Sequence, residues 1–337
     1  MKEAKLYSRL ENGEVQCYAC AHRCRISEGR YGICRVRRNM NSVLYSLVYG
    51  KAIAVHVDPI EKKPLFHMLP GSMSFSMATM GCNMHCLNCQ NSDISQIAAE
   101  NSRIAGSEIM PEDLVRMASG RGCQSVSYTY TEPAVFWDYA YDTAGLCREK
   151  GIKNIFVTNG YWSEEGLQEM MPRMDAANVD LKFFDDRLYR KFCGARLKPV
   201  LDTIRRMQEA GVWIEITTLV IPGLNDEEEH LSRIADFIAD LDPDIPWHVS
   251  RFYPTYRMMD RRATPVTTLE RARQAGKNAG LRYVYTGNVP GNEGESTYCP
   301  QCGTRVIRRY GFQIIENQIT DGHCASCRAA IAGRWAG

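Results

Sequence analysis

The stretch 74-SFSMATMGCNMHCLNCQN-91 runs from a short β-rich segment straight into three cysteines, Cys82, Cys86 and Cys89, spaced C-x3-C-x2-C. A closed structural metal site takes four protein ligands, yet the next cysteine, Cys123, lies thirty-four residues further on. Three thiolates can instead hold three of the four irons of a cubane and leave the fourth open to a small molecule. An open coordination position marks a reactive site rather than a structural one.

Five more β-rich runs follow the first, at 125-SVSYTY-130, 152-IKNIFVT-158, 177-ANVDLKF-183, 213-WIEITTLV-220 and 247-WHVSRFY-253, with 282-RYVYTG-287 as a candidate seventh. Helical patterns alternate with them, for example 133–151, 199–211 and 226–241. Pro133 and Pro199 suit first helical turns, Gly151 and Gly211 suit helix ends, and Thr267 with Glu270 reads as a capping box. Strands separated by single helices pair in parallel through crossovers. The expected architecture is α/β, a barrel or a doubly wound sheet, with chemistry gathered at the C-terminal ends of the strands.

Composition narrows the function classes. The chain has 337 residues, 45% hydrophobic and 24% charged, with a formal net charge of +2, which suits a globular protein and not a strongly nucleic-acid-binding one. There is no apolar run long enough for a transmembrane helix, and the first residues lack the apolar core of a signal peptide, so a cytoplasmic location is expected. Eleven of the fourteen cysteines fall in three clusters, which favours metal over disulfides in a reducing compartment. Cys123, Cys147 and Cys193 stand alone and are expected to pack as small apolar residues.

C-x3-C-x2-C after the first strand of a β/α repeat resembles the radical S-adenosylmethionine (SAM) superfamily, which implies a partial (β/α)6 TIM-type barrel. In that superfamily the open iron is chelated by the amino and carboxylate groups of SAM. An electron from the reduced [4Fe–4S] cluster then cleaves the sulfonium to methionine and a hydrogen-abstracting 5′-deoxyadenosyl radical. Motifs at successive strand ends carry the likeness further: 131-TEP-133, 158-TNG-160 and 180-DLK-182, then 217-TTLVIPGLND-226 and 248-HVSRFYP-254. By the resemblance, Thr131, Glu132, Asn159, Asp180, Lys182 and Arg251 line the SAM site, Glu132 accepting from the cofactor's ammonium. The superfamily's aromatic residue before the third cysteine is replaced here by Asn88.

The block 48-VYGKAIAVHVDPIEKKPLFHMLPGS-72 and the terminal cysteine clusters extend the likeness to the radical SAM enzymes of the AmmeMemoRadiSam system, relatives of pyruvate formate-lyase-activating enzyme. The resemblance implies an electron donor such as flavodoxin or ferredoxin, and a protein substrate or an AMMECR1-type or Memo-type partner. Lys62, Lys63 and His67, just before the first core strand, read as a solvated face with a satisfied histidine in preference to a group at the barrel mouth that binds an anion or relays protons. His248 and Arg251 are candidates to reach the cavity from the sixth strand.

Three segments are expected: a cysteine-rich lobe at 1–50, a barrel at 51–291 and a C-terminal lobe at 292–337. At the C-terminus, Cys299, Cys302, Cys324 and Cys327 form two C-x2-C knuckles twenty-one residues apart, a zinc-ribbon spacing. At the N-terminus, Cys17, Cys20, Cys24 and Cys34 offer four thiolates, favouring zinc, with a second [4Fe–4S] cluster as the alternative. His22 reads as a surface histidine. Residues 1–50 hold nine Lys/Arg against four Asp/Glu, and the arginines either offset thiolate charge or grip an acidic partner.

Two other function classes compete with a radical enzyme. A zinc-stabilised RNA-binding protein would use the ribbon and the arginines, but no stacking motif accompanies them. An electron carrier would need a fourth ligand at the central site.

Overall fold

The computed structural model describes residues 1–97 and 103–335. Its centre is one eight-stranded sheet whose strands lie side by side in chain order. We number them β1 (Ala54–Pro59), β2 (Met73–Ala78), β3 (Ser125–Tyr128), β4 (Lys153–Thr158), β5 (Ala176–Asp180), β6 (Trp213–Val220), β7 (Trp247–Arg251) and β8 (Val284–Gly287). From β2 to β8 every pairing is parallel, and β1 joins the edge antiparallel to β2. The two edge strands, β1 and β8, do not pair with each other, so the barrel is open. The seventh strand anticipated at 282–287 is present as β8, whereas the edge strand β1 was not anticipated.

Six helices make the crossovers: α1 (Pro111–Gly120), α2 (Trp137–Glu149), α3 (Glu164–Met170), α4 (Leu197–Glu209), α5 (Glu228–Leu241) and α6 (Val266–Asn278). Gly151 (φ 70°) and Gly211 (φ 74°) sit just past α2 and α4 in the left-handed region that ends helices. Two expected helix starts are corrected. Pro133 begins a turn four residues ahead of α2, not its first turn. Thr267 lies inside α6, whose N-cap is Pro265 in an extended conformation, so no capping box forms. Pro265 sets the entry conformation itself, without a side-chain cap.

The strand period of two separates two kinds of side chain. Phe75, Val126, Tyr128 and Phe156 pack in the core under the helices, while their neighbours Ser74 and Ser127 face inward and share a hydrogen bond of 2.6 Å. The N-terminal end of the barrel is closed by residues 60–69, which pack through Ile60, Leu65, Met68 and Leu69 on Ile155 and Ala176. Both oxygens of the buried Glu215 carboxylate take backbone N–H bonds from this plug, Phe66 at 2.9 Å and His67 at 2.8 Å. His248 Nε2 lies 2.7 Å from the same carboxylate. Glu215 therefore orders strand, plug and histidine at once. Removing a buried charged partner strands the groups it satisfied. Glu215→Ala is expected to cost about 3–5 kcal/mol in urea unfolding; a loss below 1 kcal/mol would show that the plug holds without it.

The expected solvated face is corrected by the same packing. His67 is fully buried, with its ring nitrogens on the Ala332 carbonyl (2.6 Å) and the Tyr285 hydroxyl (2.5 Å). Burial pushes its pKa down to about 4. Lys63 is also buried, 2.7 Å from Asp58 and over the Tyr130 ring, and only Lys62 of the three is near solvent. Asp58 draws both lysines inward.

Ahead of the barrel, residues 2–46 form two small three-stranded antiparallel sheets. After it, Arg305–Tyr310 and Gln313–Asn317 form the hairpin expected between the terminal knuckles.

Candidate metal and cofactor site

The loops leaving β2, β3, β4 and β5 meet above the same end of the sheet. Cys82, Cys86 and Cys89 stand four to eleven residues past β2, each partly exposed. Gly81 makes the close approach that starts this loop: its φ is 91°, and a Cβ there would lie 2.6 Å from Val36 and 2.8 Å from the Cys34 carbonyl. The loop is held from below by Asn91, whose side-chain N–H donates to the Tyr130 carbonyl at 2.8 Å. Opposite, the backbone N–H groups of His85 and Leu87 donate to the carbonyls of Cys193 and Phe192.

Around Cys82, the Asn159 side-chain N–H points at the sulfur from 3.7 Å and donates to Asn83 at 2.8 Å. Asn159 is tied in turn to Glu132, whose carboxylate accepts from Asn159 N (2.8 Å), Ala134 N (3.0 Å) and Thr158 Oγ1 (2.8 Å). Burial pushes the Glu132 carboxyl up to about 7 against these three bonds, and Asp180 adds to the rise. Thr131 anchors the strand end by donating to the Thr79 carbonyl at 2.8 Å.

Around Cys86 the partners are Lys182 and Asp180, which pair at 2.6 Å. Burial opposes the charge on Lys182, but Asp180, Cys86 and Cys193 together hold it protonated, well above the usual lysine range. Cys89 has the Ser95 hydroxyl 3.1 Å from its sulfur.

Of the six expected cofactor residues, Asn159 reaches Cys82 and is tied to Glu132, Asp180 and Lys182 pair with each other, and Thr131 is bonded to Thr79. Arg251 does not join them. It stands three positions from His248, so the two side chains leave opposite faces of β7. His248 points inward to Glu215, while Arg251 donates to the Thr264 carbonyl at 2.8 Å and the Tyr253 hydroxyl at 3.1 Å. Asn88 is half-buried among the cysteines.

Cys193, expected to pack as a small apolar residue, is buried in the core. It ends a short π-helical turn, Tyr189–Cys193, that no local pattern announced.

Among the described residues, a group of three or more metal-ligating side chains with all donor atoms within 4.8 Å of one another occurs once, at Cys299, Cys302, Cys324 and Cys327. The pairs Cys299–Cys327 and Cys302–Cys324 are 3.6 and 3.8 Å apart. Four sulfurs each about 2.3 Å from one tetrahedral zinc would stand about 3.8 Å apart. The spacing fits a single ion.

The family described as the radical SAM superfamily matches residues 77–235. An uncharacterised protein of Methanocaldococcus jannaschii is 44% identical over 334 residues, covering 98% of this chain and 99% of that one. The pyruvate formate-lyase-activating enzyme of Clostridium pasteurianum is 25% identical over 170 residues, covering 48% of this chain and 67% of that one. Among solved structures, a radical SAM methyltransferase from Sphaerobacter thermophilus shares the fold, with a TM-score of 0.51 and 13% identity over 69% of this chain and 70% of that one. No helix among the described residues is long and apolar enough to cross a membrane.

Proposed function

From the premise that this chain belongs to the radical SAM superfamily and is an enzyme of that kind, related to the activating enzymes, we propose that Cys82, Cys86 and Cys89 hold a [4Fe–4S] cluster with one iron left for SAM. When bound there, cluster and SAM together supply a 5′-deoxyadenosyl radical for hydrogen abstraction from an organic or protein substrate. The observation that carries the reading is the Asn159 side chain aimed at Cys82, together with the Lys182–Asp180 pair at the end of β5. Polar groups of both signs surround three thiols that lack a fourth ligand of the same loop.

The residues divide the work. Lys182, held protonated, offers its charge to the carboxylate of SAM, and Asp180 suits the ribose or methionine portion. Glu132 takes the ammonium, with Thr158, Ala134 and Asn159 fixing the plane of its carboxylate. Asn159 orients Cys82, and Thr131 fixes the strand end from which Glu132 projects. Arg251 belongs to the rim instead, through Thr264 and Tyr253. The C-terminal cysteines hold zinc, and the N-terminal four a further metal. Flavodoxin or ferredoxin is the expected donor, an AMMECR1-type or Memo-type protein a candidate partner, and the cytoplasm the expected location. Residues 1–50, 51–291 and 292–337 are proposed as separate lobes.

The chain loaded with iron and sulfide without oxygen, then reduced, is expected to convert SAM to 5′-deoxyadenosine and methionine. A fully loaded cluster without cleavage would overturn the proposal.

A pH dependence follows from Glu132. Its ionised form accepts the ammonium, and its carboxyl titrates at about 7 before SAM binds. SAM affinity is therefore expected to rise with pH up to about 7 and to weaken about tenfold per unit well below it. Titrations of wild type and Glu132→Gln between pH 5.5 and 8 check this. The same slope in both proteins would remove Glu132 from the contact.

A further inference from the structure

The N-terminal lobe carries a second cysteine set whose spacing differs from that of the C-terminal ribbon. Cys17, Cys20, Cys24 and Cys34 line one small pocket, together with Arg37 and aliphatic groups such as Ile26 and Val135. Cys17 and Cys34 are buried and the other two half-buried. A Cβ on Gly32 would stand 3.7 Å from the sulfur of Cys34 and 3.8 Å from that of Cys24, so these two thiols flank a single point on the cavity wall.

No three of these four sulfurs come within 4.8 Å of one another, whereas the four of the ribbon do. The central trio is also spread more widely than that limit. Sulfurs about 2.3 Å from one zinc would be drawn to about 3.8 Å apart. A cubane keeps its cysteines farther apart, because each binds a different iron. By spacing, the N-terminal set resembles the central trio and not the ribbon.

A second observation points into the same cavity. Arg37 is 2% exposed and pairs with Asp138 at 2.6 Å through one terminal nitrogen, while its Nε donates to the Val135 carbonyl. Its other terminal nitrogen, Nη1, is buried with no partner, and the guanidinium stands beside Cys17 and Cys34. A buried donor without a partner is costly. Sulfide or thiolate in the cavity would satisfy it, and hydrogen bonds to the sulfurs are a recognised influence on cluster potential. His22 is not needed as a ligand, since its Nε2 is taken by the Asn83 carbonyl at 2.7 Å and its ring packs on Tyr161.

We propose that Cys17, Cys20, Cys24 and Cys34 bind a second, fully ligated [4Fe–4S] cluster rather than zinc. Four protein ligands leave none of its irons open, so it can exchange an electron but cannot chelate SAM. Its place beside the central site follows from Gly81, which abuts Cys34 and Val36 on one side and leads into Cys82 on the other.

The test removes the central site and leaves the N-terminal one intact. Full-length protein with Cys82, Cys86 and Cys89 all changed to alanine is purified without oxygen, its iron and zinc are counted, and the reduced protein is examined by electron paramagnetic resonance. The expected result is about four irons and one zinc per chain, with a reduced-cluster signal that SAM does not alter. The ribbon's zinc reports that the chain has folded. Two zincs and no iron, or one zinc and no iron, would overturn the proposal. As a converse, Cys20→Ser with Cys24→Ser in the otherwise native chain should lose about half the iron and keep a SAM-responsive signal. Unchanged iron in that variant would also overturn it. Neither readout depends on SAM cleavage, so failure here is distinguishable from failure of the radical-enzyme reading.

Discussion

Cys82→Ala is expected to reduce 5′-deoxyadenosine formation by about a thousandfold or more, equivalent to at least roughly 4 kcal/mol of lost transition-state stabilisation. The loop supplies three thiolates and no spare. Removing one leaves two ligands where the cluster needs three, and the groups nearest Cys82, Asn83 and Asn159, offer amide oxygen and nitrogen, which are poor ligands for iron–sulfur centres. The central cluster is lost rather than weakened. The proposed C-terminal metal should persist, because none of its four ligands, Cys299, Cys302, Cys324 and Cys327, belongs to the central loop. Parallel iron and zinc counts on the variant separate loss of the cluster from loss of the fold. Substantial cleavage activity in Cys82→Ala would refute the ligand assignment.

The second large effect is expected at the other end of the barrel. Removing the C-terminal metal, by chelation or by Cys324→Ser, should unfold residues 297–331 while leaving the parallel sheet folded. The hairpin has little apolar material of its own. Its buried residues, Val306, Cys299, Cys324 and Ile331, form one cluster with Phe66, Tyr283 and Tyr285 of the barrel. A lobe of this size depends on its metal, and apparent zinc-binding energies of about 10–16 kcal/mol make binding equivalent to folding. Loss of the ribbon also withdraws Arg309, which is buried and donates to the Phe66 carbonyl (2.8 Å) and to Thr297 (2.7 Å). Phe66 is one of the two residues that Glu215 holds, so the plug should loosen with the ribbon. Amide hydrogen exchange is expected to show lost protection over 297–331 and reduced protection at 60–69, with β3–β6 unchanged. Unaltered exchange of the hairpin after metal removal would contradict a structural metal there.

The parts of this account that were legible in the sequence are local. A cysteine triplet after a strand, a Glu-Pro or an Asp-Leu-Lys at a strand end, and paired knuckles all carry their meaning within a few residues. The structure brings Thr131, Glu132, Asn159, Asp180 and Lys182 to the loop because parallel strands deliver all their C-terminal ends to one side. What escaped is long-range or depends on facing. The plug at 60–69 gets its order from Glu215, Tyr285 and Arg309, more than 140 residues away, and no periodicity within it reveals those partners. The facing of Arg251 depends on its odd offset from His248, which puts the two side chains on opposite faces of β7. At the N-terminus four cysteines suit either zinc or a [4Fe–4S] cluster, so ligand count leaves the metal open.

The central claim is that three cysteines leave one iron free for SAM. The most direct measurement is the electron paramagnetic resonance spectrum of the reduced protein, before and after addition of SAM labelled with 17O in its carboxylate. SAM is expected to shift the signal of the Cys82, Cys86 and Cys89 cluster, and the label to couple to it. A fully loaded, reduced cluster whose spectrum SAM leaves unchanged would contradict the claim.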